Sequence, residues 1–313
     1  MELVRALRIV AFGEGMIEIA GRIGAASNIG YGGDVLNVSV AMARLGLAPA
    51  FLTTLGVDPW SDELATAWGA EGIDLSLVAR HPTRAPGLYG VRTDARGERS
   101  FTYWRESSAA RAFFELRESA ALIAHAADAD LLFLSGITLS LFGPAERRRI
   151  AELAEQVRAR GGSVAFDPNY RPAGWESPDA AAEAFAAFAP MVDIVLPTAD
   201  DERLLHGDNQ TAESVLARWR GAGAREVAVK LGREGALVWS ASGANHVPAE
   251  EVAPVDTTGA GDAFDAGYLS ARLAARAPVE AARFGVGLAS ETIRHPGAIP
   301  PRSAVARFTL TPT

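Results

Sequence analysis

The stretch Asp256-Thr257-Thr258-Gly259-Ala260-Gly261-Asp262-Ala263-Phe264, followed by a helical pattern from Asp265 to Ala275, decides how this chain is read. Small residues at 259–261 let backbone N–H groups converge at a helix start, where unpaired amides and the positive end of the dipole bind anions. Asp262 then falls in the first turn. A carboxylate there can take the proton of an attacking hydroxyl while the amides hold charge on a transferring phosphoryl group. The same string is also an ordinary glycine turn, since the dipole alone favours an Asp at this position. The sequence on either side has to choose between the two.

Working outward, short aliphatic runs alternate with longer amphipathic patterns. Leu7 to Phe12, Ala50 to Thr54, Asp130 to Ser135, Ser163 to Asp167, Asp193 to Pro197 and Glu226 to Lys230 read as strands. Val35 to Leu45, Ser61 to Glu71, Pro144 to Arg160 and Asp179 to Phe188 read as helices. Near-continuous apolar strands separated by helices predict a mostly parallel α/β sheet covered on both faces, with ligands beyond the carboxyl ends of its strands. Residues 14–33 and 87–105 break the rhythm with glycines and two-residue alternation. They predict a small β appendage, its second part turning at Asp94-Ala95-Arg96-Gly97.

Composition narrows the chemistry. The 313 residues are 49% hydrophobic and 22% charged, which excludes a disordered or fibrous chain. A formal charge of −8 with no basic stripe argues against nucleic acid and anionic lipid as partners; the run Arg147-Arg148-Arg149 is flanked by Glu146 and Glu152 on a helical pattern. The absence of cysteine removes disulfides, thiolate metal sites and cysteine nucleophiles. Met1 to Phe12 lacks a signal-peptide pattern, and no apolar run approaches the roughly 18 residues of a membrane span, so a cytoplasmic location is expected. Lys230 is the only lysine, and it stands between Val229 and Leu231. A Walker A loop is therefore excluded. His81, His125, His206, His246 and His295 are too scattered for a zinc site, and Gly13-Glu14-Gly15 lacks the third glycine of a dinucleotide fingerprint, which would fall at Glu18.

A second motif opens the helix at 35–45: Gly30-Tyr31-Gly32-Gly33-Asp34-Val35-Leu36-Asn37. Paired glycines allow close backbone approach, and Asp34 and Asn37 offer polar groups one turn apart, suited to sugar hydroxyls. Asp34 could equally be a plain cap. Taken with the 256–264 string, this motif resembles the N-terminal signature of the PfkB, or ribokinase-like, carbohydrate kinases. The resemblance runs from near residue 8 to near residue 303. It implies one ribokinase-like domain over residues 1–313, a doubly wound sheet flanked by helices with a β lid drawn from about 14–33 and 87–105. It further implies Asp262 as base, the amides of Gly259, Ala260 and Gly261 as anion hole, and Gly33, Asp34 and Asn37 against the sugar.

Three more strings resemble the members of that family acting on 2-keto-3-deoxygluconate: Pro86-Gly87-Leu88-Tyr89, Gly97-Glu98-Arg99-Ser100-Phe101-Thr102-Tyr103-Trp104-Arg105 and Asp167-Pro168-Asn169-Tyr170-Arg171-Pro172. A keto acid carries a carboxylate, and the arginine fork matches one bidentately. Arg105 and Arg171 are the candidates for that contact, with Tyr89 and Tyr103 as hydrogen-bonding walls. By the same resemblance Asn169, Lys230, Gly232, Gly235, Gly259, Gly261 and the region of Ser290 line an ATP site. Where relatives carry Asn-x-x-Glu for magnesium, this chain reads Thr198-Ala199-Asp200-Asp201, leaving Asp201 as the Mg²⁺ candidate. Asp256 and Thr258 resemble a monovalent-cation site, and a homo-oligomer is implied. A kinase for a neutral sugar, a nucleoside kinase and a sugar sensor without turnover remain the alternatives.

Overall fold

The computed structural model describes residues 7–22, 24, 26–93, 99–308 and 310, the side chains of Thr93 and Arg99 excepted. The turn expected at 94–97 lies outside them. Among the described residues thirteen strands form two sheets. The larger has nine: β1 (Ile9–Phe12), β4 (Ala50–Leu55), β5 (Val78–Arg80), β8 (Leu131–Ser135), β9 (Ser163–Asp167), β10 (Ile194–Val195), β11 (Glu226–Lys230), β12 (Ala236–Ser240) and β13 (Gly243–Val247). Their spatial order is β13-β12-β11-β10-β9-β8-β1-β4-β5. Pairing is parallel from β11 to β5, and the β11–β12–β13 edge is antiparallel.

Alternation along the strands builds two cores. Ile9, Ala11, Phe51, Leu131 and Phe133 pack with helices Asp34–Arg44, Ala260–Leu273 and Pro278–Thr292. Val10, Phe12, Leu52, Leu132 and Leu134 face the other way, toward helices Pro144–Ala159, Pro178–Phe188 and Ala212–Gly221. This is the covered, doubly wound sheet that the apolar runs predict.

The second sheet joins β2 (Met16–Ala20), β3 (Asn28–Gly32), β6 (Leu88–Thr93) and β7 (Arg99–Trp104) in the order β3-β2-β6-β7. These strands fall inside the two stretches read as an appendage. One face carries Glu18, Tyr89 and Tyr103 in register; the opposite face carries Ile19, Ile29 and Trp104. Several expected ends move by one or two residues, and two boundaries near the site matter. The strand expected over 193–197 keeps only Ile194 and Val195, because Pro197 has no N–H to continue the ladder. The helix expected from Asp265 starts at Ala260, so the small-residue loop is itself the first turn.

Candidate active site

The carboxyl ends of β1, β8, β9, β10 and β11 converge, and the chain leaving them supplies Glu14, Ser135, Asn169, Arg171, Asp201 and Lys230. Helices Asp34–Arg44 and Ala260–Leu273 bring their N-termini to the same edge, and the four-stranded sheet adds Tyr89, Tyr103 and Arg105.

Asp262 is held at the centre. Gly259 is the N-cap with φ 75°, and no side chain caps the first turn; the Ala260 N–H donates to Thr257 O at 3.2 Å, and among the described residues no partner is seen for the Gly261 N–H, which is open to an anion. Asn37 Nδ2 donates to Asp262 Oδ2 at 2.8 Å across 225 residues of sequence. Burial first, then the Asp34 and Asp167 carboxylates, push the Asp262 carboxyl up to about 7, against the hydrogen bond from Asn37 and the charge of Lys230. A carboxylate poised there exchanges protons near neutrality. Asp34 is also raised by its burial, and accepts from Asn169 Nδ2 at 3.1 Å. Asn169 adopts φ 35°, with its N–H donating to Asp167 Oδ1 at 3.1 Å. Gly33 caps the other helix and accepts from the Asn37 N–H at 2.7 Å.

Beneath the anion loop lies a buried triad. Lys230 Nζ donates to Asp167 Oδ2 at 2.8 Å and to Asp265 Oδ1 at 2.9 Å. A Cβ placed on Gly261 would sit 3.6 Å from that ammonium. Sequence reasoning assigns Lys230 to the nucleotide; the geometry instead makes it an internal cation shared by two carboxylates, because three charges buried together need one another. Asp265 was not singled out. Its position one turn after Asp262 on the same helix face is the signal that could have found it.

The two arginines are each already paired. Arg171 Nη1 donates to Asp201 Oδ1 at 2.9 Å, and Arg105 Nη2 lies 2.5 Å from Glu14 Oε2. Asp201, the Mg²⁺ candidate, is therefore an arginine partner, its carboxyl raised by burial against the pull of Arg171. Tyr89 also departs from its expected role. Its hydroxyl donates to Glu18 Oε2 at 2.6 Å within the small sheet, and burial with that carboxylate raises it. The Tyr103 ring lies tilted beside Tyr89 with centroids 5.8 Å apart and is 45% exposed, on the face turned to Arg105, Arg171 and Asp34.

The remaining candidates lie along the adjoining edge. Gly232 and Gly235 shape the turn between β11 and β12, where the Leu231 N–H donates to Gly235 O at 2.8 Å. Ser290 is buried on helix Pro278–Thr292. Asp256 accepts from the amides of Thr258 and Gly297, which fold residues 295–299 against the glycine loop. Among the described residues no three of His, Cys, Asp and Glu converge as a metal cage. No helix among them is long and apolar enough to cross a membrane.

Comparison with known proteins agrees with this arrangement. Residues 8–304 match the model of the pfkB family carbohydrate kinases. The 2-dehydro-3-deoxygluconokinase of Escherichia coli strain K12 is 42% identical over 306 residues, covering 95% of this chain and 98% of the relative. The enzyme of that name from Dickeya dadantii is 40% identical over 308 residues, with 95% and 98% covered. Among solved structures, a PfkB protein from Polaromonas sp. JS666 superposes with TM-score 0.82 at 31% identity over 95% of this chain and 98% of that one. A fructokinase with bound ATP from Xylella fastidiosa gives 0.81 at 25% identity, over 96% and 97%. With the anion loop, the poised Asp262 and the small sheet in place, these matches mean that the chain belongs to the pfkB family of carbohydrate kinases.

Proposed function

We propose that this enzyme transfers the γ-phosphoryl group of ATP to the 6-hydroxyl of 2-keto-3-deoxygluconate, giving the 6-phosphate and ADP. The observation that carries the chemistry is Asp262, half-buried in the first turn of a helix that no side chain caps, and held by Asn37. Asp262 takes the hydroxyl proton as the sugar oxygen bonds to phosphorus and the bond to the β-phosphate oxygen breaks. The amides of residues 259–261 hold the charge that develops on the transferring group. Lys230 stays beneath them and balances Asp167 and Asp265.

Arg105 and Arg171 are assigned to the keto-acid end of the sugar, with Tyr103 beside them. Glycines 232 and 235, Asn169 and the neighbourhood of Ser290 are assigned to the nucleotide. The donors at this edge are hard carboxylate oxygens, which suit Mg²⁺; with no protein cage, an ion that keeps its waters and rides on phosphates fits best, Asp201 holding it through water. Bound there, Mg²⁺ neutralises phosphate charge. We assign Asp256 and Thr258 to a monovalent cation. The whole chain acts as one unit in the cytoplasm, where ATP is made, with the small sheet as its lid and as the contact between copies.

One observation favours a second reading, a kinase for a neutral sugar: both arginines already have carboxylate partners, leaving less free charge for an acid. ADP release with ATP and Mg²⁺ on 2-keto-3-deoxygluconate, its galacto epimer, 2-ketogluconate, fructose, ribose and adenosine separates the two. Turnover confined to the keto acids is expected. Preference for fructose or ribose moves the assignment to the neutral-sugar kinase, and silence on every compound moves it to a sensor.

A further inference from the structure

Glu14 stands two residues beyond β1 with its side chain 1% exposed. Among the described residues its one ion pair is with Arg105, Arg111 adds a second positive charge in its surroundings, and neither carboxylate oxygen makes a hydrogen bond beyond that ion pair. The approach depends on Gly87, where a Cβ would come within 2.8 Å of Glu14 Oε1 and 3.2 Å of Arg105 Cβ. Arg105 itself follows β7, so the pair ties the end of the small sheet to the end of β1 in the large one. Only one terminal nitrogen of the guanidinium is engaged. The other is left for a second carboxylate.

We propose that Glu14 is a positioning residue for acid recognition, fixing the Arg105 guanidinium at the seam between the sheets so that its second nitrogen meets the substrate carboxylate. The inference rests on the reading of Arg105 given above. A free arginine must lose its rotamer freedom when a ligand binds, and one fixed beforehand does not, so the fixed fork binds more tightly for the same contact. A buried Glu14 in turn requires a cation, which makes the pairing obligatory in both directions. The competing effect is repulsion: a resident carboxylate beside the arginine pushes a second one away. The two effects have opposite signs in KM, which makes the inference decidable.

The experiment is steady-state kinetics on the full chain with Glu14→Gln, Arg105→Ala and the double variant, using 2-keto-3-deoxygluconate and fructose, with ATP KM as the internal control. Glu14→Gln is expected to raise KM for the keto acid about tenfold, with kcat and ATP KM changed far less; in the Arg105→Ala background the same change should alter KM by less than about twofold. A fall in KM on Glu14→Gln, or effects that add in full, overturns the inference. Should Glu14→Gln not fold, Glu14→Asp keeps the charge but retracts it by one methylene. A rise of about threefold that vanishes in the Arg105→Ala background then supports positioning, and no rise, or one that persists there, overturns it. Failure of the parent reading looks different: Arg105→Ala would then raise KM for fructose and for the acid alike.

Discussion

Asp262 combines two demands that conflict. Catalysis wants a carboxylate that holds its proton only loosely near neutrality, while burial beside Asp34 and Asp167 makes the charged form costly. Because its folded pKa of about 7 lies above the unfolded carboxylate value, the native state binds the extra proton between roughly pH 4 and pH 7. Stability from this group is therefore full below that window, falls as the pH rises through it, and is lost above it. Asp262→Asn removes the charge and keeps an acceptor for Asn37. Its melting temperature should exceed that of the parent by several degrees at pH 8 and match it near pH 4.5. A variant less stable than the parent at pH 8 would count against a strained base. The same substitution should lower kcat by on the order of a hundredfold or more while leaving substrate Kd nearly intact. In the parent, kcat/KM should fall with slope one on the acid side of about pH 7, as the base becomes protonated.

Helix starts are where a single residue's backbone preference decides most. The motif at 256–264 places Gly259 at φ 75°, and a Cβ there would lie 2.7 Å from the Ala298 Cα. Gly259→Ala therefore meets both a left-handed backbone and a backbone collision, whereas Gly232→Ala, at φ 57° with open space around it, meets only the first. Urea unfolding should show about 1 kcal/mol lost for Gly232→Ala and clearly more, about 3 kcal/mol, for Gly259→Ala. Equal losses would mean that residues 295–299 yield freely. Local signals are legible without a structure in the strands, where β9 and β11 run over the residues their aliphatic patterns predict; the helices read from Ser61 and Asp179 open earlier, at Pro59 after the Asp58 cap and at Pro178 after the Ser177 cap. Partners drawn from distant parts of the chain are not. Nothing in spacing ties Glu14 to Arg105, Glu18 to Tyr89, or Lys230 to Asp265, because each pair is made by strand order and by the docking of one sheet on the other. Arginine and tyrosine roles read from motif position alone therefore came out without the carboxylates that restrain them.

At the scale of the molecule, the two sheets divide the labour. The nine-stranded sheet and the helix Ala260–Leu273 packed on it hold Asp262, the glycine loop and the buried Lys230, all fixed by the two cores on its faces. The four-stranded sheet has only a small apolar cluster of its own, Met16, Tyr89 and Val91, and leaves Ile19, Ile29 and Trp104 open on the face away from Tyr103. Ile29 is 60% exposed and Trp104 is 58% exposed, the Trp104 ring lying over Gly90 rather than under neighbouring side chains. A four-stranded sheet with one side this bare is poorly supported by itself, since three apolar side chains on one face normally find cover. A second copy of the same sheet would supply that cover symmetrically, each copy contributing the same residues. Sedimentation velocity of the full chain should accordingly give a dimer at micromolar concentration, and Ile29→Glu with Trp104→Glu should give a monomer whose large sheet melts at an unchanged temperature. With Tyr103 and Arg105 assigned to the sugar as proposed above, the monomer should lose affinity for 2-keto-3-deoxygluconate more than for ATP. A parent chain that sediments as a monomer, or a double variant that stays dimeric, would show that this face is not the contact between copies.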